Sequence, residues 1–200
     1  MVSEITETRD QDQDHIVKGN TRILTPDLYA RFRSELNPVY QAIADVQINS
    51  GMRWEEFWQF VKHPDWYKAS RRCISLNKSA IKKEKCRIKE RDVILTQRGC
   101  DAVELLQKLK IKKVTRHAVN QAFRLAAQKT IGEDYIMPKM LRKCCATWLM
   151  KAFQDHPTKL AIISMSMGHT LQVMQEHYLS TAFATEDTLD MREFFKGWGE

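Results

Sequence analysis

The chain has 200 residues, of which 43% are apolar, enough for one globular domain with a core of ordinary size. It contains no run of about 18 apolar residues, and residues 1–15 are acidic and polar, so the sequence predicts neither a membrane span nor a secretory signal. The net charge is +7, and the five cysteines include no C-x-x-C pair, which favours reduced intracellular thiols over a disulfide framework or a zinc site.

Three helices are predicted after a polar N-terminal stretch. Residues 1–20 are low in apolar content and predict a flexible arm or linker. TPDLYARFRSELN (25–37) opens with Thr-Pro, the expected cap and first residue of a helix. VYQAIADVQINSG (39–51) has apolar residues at helical spacing and ends at Gly51, a residue typical of helix C-termini. MRWEEFWQFV (52–61) then resumes the helical pattern.

A basic hairpin is predicted next. RRCISLN and ERDVILT are short and β-branched, and a lysine-rich stretch separates them, which is typical of two strands joined by a long tip. Residues 71–91 contain nine basic and two acidic residues, so this segment alone carries a charge of +7. Such clustered charge is expected of a surface that binds a polyanion, although a solvated charged hairpin would have the same composition.

The rest of the chain has helical periodicity. The fold class predicted is therefore mainly α with a small antiparallel β-sheet, an α+β domain. The C-terminal tail contains an aromatic cluster, which either packs on its own core or docks on a neighbouring subunit. The predicted helical stretches are DAVELLQKLK, HAVNQAFRLAAQK, PKMLRKCCATWLMKAF, TKLAIISMSM and LQVMQEHYLSTAF, and the aromatic residues of the tail are Phe194, Phe195 and Trp198.

Two stretches in the first half place charged residues where they can act together. In NSGMRWEEF, Arg53 follows a glycine turn and Glu56 comes three residues later on the same helix face. The Glu56 carboxylate can therefore hold the Arg53 guanidinium in place. In the hairpin, Lys78 directly follows the first strand.

Two further stretches follow in the second half. PKMLRKCCATWL places Lys139 and Arg142 three residues apart on one helix. MGHTLQVMQEHYLS places His169 after a glycine and Tyr178 nine residues later. Taken alone, Tyr178 is more simply a packed aromatic than a reactive group.

In this order, the four stretches resemble the tyrosine recombinase (phage integrase) family, over residues 22–182. That family has a first arginine in a "tG-x-R-x-x-E" setting, a lysine in a β-hairpin and a second arginine in an "H-x-L-R-H" helix. An "L-G-H" and a nucleophilic tyrosine follow. The matching residues here are Arg53, Lys78, Lys139, Arg142, His169 and Tyr178.

The match departs from the family pattern at two places. Lys139 and Lys143 replace both histidines of "H-x-L-R-H"; the family tolerates lysine at the first, so Lys139 stays a candidate and Lys143 does not. The hairpin lysine is ambiguous as well. Lys78 follows the first strand of the hairpin at the distance usual in the family. The tip contains other basic residues, which are candidates for DNA binding. These are Lys82, Lys83, Lys85 and Arg87.

The resemblance implies a tyrosine recombinase catalytic-domain fold at residues 21–182, followed by a tail at 183–200 that contacts another protomer. It implies an enzyme that cleaves and rejoins double-stranded DNA through a 3′-phosphotyrosine, as a tetramer on paired sites, with no metal or other cofactor. Such an enzyme acts in the cytoplasm or nucleoid of a prokaryotic cell and is often encoded by a virus or another mobile element.

Two alternative functions stay open. A type IB topoisomerase shares the tyrosine chemistry, and a DNA-binding relative impaired in catalysis would explain the two lysine replacements. The family usually carries an N-terminal helical domain as well. About 20 polar residues precede the matching region here, so the chain is expected to be either part of a longer enzyme or a minimal version.

Overall fold

A computed structural model describes residues 15–18, 21–80, 90–111, 114–132, 136–176 and 183–199. The strands in these ranges are β1 (His15–Lys18), β2 (Thr21–Leu24), β3 (Tyr67–Lys68), β4 (Cys73–Leu76) and β5 (Arg91–Ile94). The helices are α1 (Pro26–Ser34), α2 (Pro38–Ser50), α3 (Trp54–Lys62), α4 (Gln97–Lys108), α5 (Arg116–Ile131), α6 (Pro138–Ala152), α7 (Pro157–Met167), α8 (Leu171–Met174) and α9 (Thr185–Phe194). The predicted class, mainly α with a small antiparallel sheet, is confirmed.

The first helices begin and end as their capping residues predict. The Thr25 hydroxyl accepts a hydrogen bond from the Leu28 amide at 3.2 Å and caps α1. Helix α2 ends at Gly51, which has a φ of +58°, in the left-handed region that glycine adopts without strain. Helix α3 begins at Trp54 instead of residue 52, because Arg53 is still extended. This places Arg53 at the N-terminus of a helix, directly after a tight turn.

The predicted hairpin is present as the antiparallel pair β4–β5, in which Cys73 lies opposite Ile94 and Leu76 opposite Arg91. A third strand, β3, pairs antiparallel with β4 and was not predicted, because its two residues are too short for an alternating pattern. The tip of the hairpin, residues 81–89, lies outside the described residues.

A second, two-stranded sheet was also missed. Strands β1 and β2 pair antiparallel, with Ile16 opposite Ile23. The prediction that residues 1–20 form a flexible arm is therefore wrong at His15–Lys18, which are strand. The sequence did contain a signal, because the two residues between the strands are Gly19-Asn20, a dipeptide typical of two-residue β-hairpin turns.

Helix α6 is the central helix of the core. It is buried on nearly all sides and contacts α2, α7, α9 and β2. The Trp148 indole N–H donates to the Leu24 carbonyl at 2.8 Å, and the Leu24 amide donates to Cys144 Sγ at 3.3 Å. These two bonds attach β2 to α6. The helix that carries Arg142 is therefore fixed from several directions.

The aromatic cluster of the tail packs into the core of its own chain. Phe195 and Trp198 are fully buried, and Phe194 stacks edge-on against Trp148 with 5.0 Å between ring centroids. The Trp198 indole N–H donates to the Ile94 carbonyl at 3.2 Å, which ties the tail to β5. Of the two predicted alternatives, packing on the same chain is the one observed.

The described cysteines are all buried, and none of them forms a disulfide; they are Cys73, Cys100, Cys144 and Cys145. Burial raises the pKa of the Cys144 thiol to about 12, so this group stays protonated at neutral pH. Within the described ranges, no helix combines the length and the apolar character needed to cross a membrane.

Candidate active site

Arg53 is held by its own helix. Its Nη1 lies 2.8 Å from Glu56 Oε1, and its backbone amide donates to Glu56 Oε2, also at 2.8 Å. The predicted Arg53–Glu56 ion pair is therefore present. The Arg53 side chain keeps 29% of its surface exposed, whereas Glu56 keeps 1%. Glu56 thus holds both the backbone amide and the guanidinium of Arg53, while part of the Arg53 side chain faces solvent.

The Glu56 carboxylate is ionised despite its burial. Burial by itself would raise the pKa of Glu56, but the charge and hydrogen bond of Arg91, together with the Arg53 amide and charge, outweigh it and lower the pKa to about 2. Glu56 is therefore a fixed negative charge between two arginines at any pH near neutrality. It is not suited to proton transfer.

Arg142 joins two turns of the chain. The residue is 8% exposed. Its Nη1 donates to the Gly51 carbonyl, and its Nη2 donates to the Met167 carbonyl at 2.6 Å. One carbonyl belongs to the turn before Arg53 and the other to the turn before His169. Arg142 thereby fixes the position of both turns relative to α6.

The turn at Gly51 is tightly packed as well as left-handed. A Cβ at this position would lie 2.6 Å from Met167 Sδ and 2.7 Å from Met167 Cε. A side chain here would have to displace the end of the Met167 side chain, and the positive φ would strain it in any case. The carbonyl that orients Arg142 therefore belongs to a position that favours glycine.

His169 lies against Arg142. Its Nε2 is 2.7 Å from Arg142 Nη2, and its amide donates to the Ser164 carbonyl at 2.9 Å. Burial, followed by the charges of Arg142, Arg53 and Arg91, lowers the pKa of His169 to about 4. The imidazole is therefore neutral at pH 7. Because a guanidinium only donates, Nε2 must accept, and the ring proton is on Nδ1.

Three of the six residues proposed for catalysis are thus brought together. They are Arg53, Arg142 and His169, which come from three separate stretches of sequence. The cluster is strongly cationic, and Glu56 is the one carboxylate bonded within it in the described part of the chain. Such an arrangement can bind an anionic group and stabilise negative charge that develops on it.

The two proposed lysines lie at the surface. Lys78 follows β4 in a short 3₁₀ turn, its side chain is 74% exposed, and Nζ is 3.9 Å from Glu90 Oε1. Lys139 is exposed one turn before Arg142 on α6 and forms none of the described contacts that link Arg142 to His169. The structure does not bring either lysine into the arginine–histidine cluster.

The proposed nucleophile and tip residues lie outside the described residues. They are Tyr178, Lys82, Lys83, Lys85 and Arg87. The chain leading to Tyr178 is described as far as residue 176. Helix α8 begins two residues after His169, and the Thr170 hydroxyl caps it by accepting from the Val173 amide at 3.4 Å.

Arg91 is a member of the cluster that the sequence did not identify. Its Nη2 lies 2.7 Å from Glu56 Oε2, and its Nε donates to the Ser166 carbonyl at 2.9 Å. From the sequence, Arg91 was assigned to the basic surface of the hairpin. Its side chain is in fact buried, with 3% of its surface exposed. The pattern RDVI contained a signal, because Arg91 and Val93 share one face of the strand and that face is buried.

The fold resembles that of a solved recombinase. The chain aligns with XerA recombinase at a TM-score of 0.55 and 16% sequence identity, over 87% of this chain. The described chain has the fold of a tyrosine recombinase catalytic domain. It spans 65% of the XerA recombinase chain. No protein-family model matches the sequence, and no curated protein sequence matches it.

Proposed function

We propose that this chain is the catalytic region of a site-specific DNA recombinase, which cleaves and rejoins strands through a covalent 3′-phosphotyrosine on Tyr178. The observation that carries the proposal is the convergence of Arg53, Arg142 and His169. Arg142 contacts His169 directly and also bonds the carbonyl of the turn that precedes Arg53. Three motifs spread over more than a hundred residues thus form one cationic cluster.

The two arginines suit the charge that a phosphodiester develops during attack. Negative charge builds on the non-bridging oxygens, and planar guanidinium groups can donate two hydrogen bonds to such oxygens. Arg142 is oriented by two carbonyls and Arg53 by Glu56, so both are fixed before substrate arrives. Fixed donors lower the barrier because they need little reorganisation during the reaction.

His169 enters this scheme as a neutral group. Since its Nε2 accepts from Arg142, its remaining hydrogen-bond function is the Nδ1 proton. A bound phosphate would partly cancel the arginine charges that lower the pKa of His169, and would therefore raise it. His169 is proposed to orient Arg142 and to sense the charge of the bound phosphate.

In the proposed reaction, Tyr178 Oη attacks phosphorus and loses its proton, the bond to the 5′ oxygen breaks, and that oxygen takes up a proton. Lys78 is the first choice as the acid, with Lys82, Lys83 and Lys85 as alternatives. Lys139 either assists the loss of the tyrosine proton or binds phosphate. The reverse attack by a 5′ hydroxyl of another strand rejoins the DNA. The link conserves the bond energy, so the scheme uses no nucleotide or metal.

The proposed substrate is double-stranded DNA bound through the basic segment 71–91, with affinity that falls as salt rises. Arg91 belongs to that segment but is buried, so the charge available to DNA is less than the sequence count. Strand exchange between two sites is proposed to use a tetramer, in which the exposed side of the tail at 183–200, and not its buried aromatic residues, contacts a neighbouring protomer. Whether Tyr178 acts within its own protomer or in a partner is decided by that assembly.

A trapping assay tests the proposal. The full chain is incubated with a pool of random-sequence duplexes that carry nicks, so that a cleaved strand loses its short 5′-hydroxyl end and cannot be rejoined. The wild-type protein should form adducts that survive denaturation, and Tyr178→Phe should form none. Tyr40→Phe is the matched control, because Tyr40 is a half-buried tyrosine packed against the core. Equal adduct yields from the wild type and Tyr178→Phe would refute the assignment of the nucleophile.

A second assay separates recombination from relaxation. Duplexes recovered in the trapped adducts are cloned in pairs on one supercoiled plasmid. A recombinase exchanges the segment between two sites, whereas a type IB topoisomerase relaxes a plasmid that carries none of them. Relaxation without exchange would favour the topoisomerase, and binding without adducts would favour the catalytically impaired relative.

A further inference from the structure

Arg91 contacts two of the segments that build the cluster. Its strand lies in the three-stranded sheet, and its side chain extends away from the sheet between α3 and the end of α7. Nη2 bonds Glu56 Oε2 at 2.7 Å on α3, and Nε bonds the Ser166 carbonyl at 2.9 Å on α7. Both bonds are buried, so water does not compete for them.

The two ends of this bridge are close to the residues proposed for catalysis. Glu56 carries the Arg53 guanidinium on its other oxygen, so Arg91 and Arg53 share one carboxylate. Ser166 precedes His169 by three residues, and its hydroxyl accepts from the Ile94 amide of the same strand at 3.1 Å. Arg91 therefore links the position of Arg53 to that of the turn containing His169.

The contact with that turn is direct. A Cβ at Gly168 would lie 3.1 Å from both Cζ and Nη1 of Arg91, so the backbone at Gly168 lies against the guanidinium. Nη1 is buried and has no hydrogen-bond partner among the residues that the structure describes. A buried charged donor left without an acceptor is uncommon and favours a role beyond packing.

We propose that Arg91 is a positioning residue that sets the spacing between Arg53 and the His169 turn, so that both face the same phosphate. This inference rests on the proposed function, because it concerns the same site. Arg91 acts through Glu56, Ser166 and Gly168, and does not touch the substrate. A single ammonium group cannot reproduce the fork, so lysine at this position should keep the charge and lose the spacing.

The state of His169 reports this arrangement independently of catalysis. Among the residues that the structure describes, the charged groups acting on it include Arg142 from α6, Arg53 and Glu56 from the start of α3, and Arg91 from β5. Loss of Arg91 removes one positive charge and leaves Glu56 less compensated. Both changes favour the protonated imidazole.

The test compares Arg91→Met, Arg91→Lys and a control, Arg192→Met, in the full chain. Arg192 forms an ion pair with Asp155 at 3.0 Å on the outer side of α9, so its loss removes one charge away from the cluster. The pKa of His169 is read from ring ¹⁵N shifts in a pH titration, with and without inorganic phosphate as probe. Adduct formation on the nicked pool is followed in single turnover, and DNA affinity is measured separately.

We expect the pKa of His169 to rise in Arg91→Met, because one of the positive charges that lower it is lost, and to stay unchanged in Arg192→Met. Adducts should form roughly tenfold to a hundredfold more slowly in Arg91→Met and Arg91→Lys, with DNA affinity within about twofold of the wild type. If Arg91→Met does not fold, the rate of adduct formation in Arg91→Lys decides the inference, because that variant keeps the charge and changes only the geometry.

Two results would overturn the inference. The first is an Arg91→Lys variant that forms adducts as fast as the wild type, since charge alone would then suffice. The second is a His169 pKa that is unchanged in a folded Arg91→Met variant. If the wild type itself forms no adducts, the proposed function fails, and the His169 titration still decides whether Arg91 shapes the cluster.

Discussion

Replacing Glu56 with glutamine should destabilise the fold strongly and in a pH-dependent manner. The carboxylate is 1% exposed and bonds the guanidinium groups of Arg53 and Arg91 through different oxygens. Glutamine keeps the size but turns one oxygen into an N–H₂ donor that faces arginine donors. Arg91 would then be a buried charge without a counter-ion, a change that typically costs about 3–5 kcal/mol.

The lowered pKa of Glu56 gives a similar value for the contribution of this carboxylate to the folding free energy. A fall from the ordinary 4.5 to about 2 corresponds to about 3 kcal/mol of folding free energy at pH 7. Because the folded pKa is the lower one, this stability is present above pH 4.5 and is lost as the pH falls towards 2. At pH 3, it should be about half as large as at pH 7.

The unfolding free energies of the wild type and Glu56→Gln are measured by urea unfolding followed by tryptophan fluorescence. The measurement is made at pH 7 and at the lowest pH where both proteins fold. Glu55→Gln is the matched control. Glu55 is the preceding residue, it is 60% exposed, and it pairs with Arg116 at 3.3 Å, so its loss should cost less than about 1 kcal/mol. A Glu56→Gln loss as small as that of Glu55→Gln, or one that does not shrink in acid, would refute the account of the buried pair.

Three further predictions follow from the described contacts. Gly51→Ala should lower the unfolding free energy by roughly 2 kcal/mol or more, because it combines a positive φ with a Cβ that collides with Met167; an unchanged melting temperature would contradict this. Trp198→Ala should cost about 3–5 kcal/mol in urea unfolding, since the indole is 1% exposed and bonds Ile94; a loss below about 1 kcal/mol would show that the tail is not part of the core. His169 should titrate near pH 4 by NMR and be neutral at pH 7, with its ring proton on Nδ1; a midpoint near 6.5 would mean that Arg142 does not contact it.

Much of the fold could be predicted because its signals are local. The threonine that caps α1 and the glycine that ends α2 interact with residues a few positions away, so the sequence shows them. The Arg53–Glu56 ion pair is also local, since both residues belong to one helical turn. Strand β3 was missed because two residues form strand only beside a partner. Strands β1 and β2 flank Gly19-Asn20, a local turn signal from which they could have been predicted.

The site was predicted only in part, for a related reason. Motif order indicated Arg53, Arg142 and His169, but their contacts join segments far apart in sequence. Arg91 was counted as a surface charge, because its burial depends on α3 and α7 packing over the sheet. Conversely, the i, i+3 spacing of Lys139 and Arg142 predicted that both lie on one face of a helix. Lys139 is exposed at the surface, and none of the described contacts connects it to the cluster.

The most direct test of the central claim is to identify the residue that carries DNA in the trapped adduct. Adducts from the nicked pool would be digested with nuclease and protease and mapped by mass spectrometry. The expected product is a nucleotide joined through its 3′ phosphate to Tyr178. A nucleotide on any other side chain, or one joined through a 5′ phosphate, would contradict it.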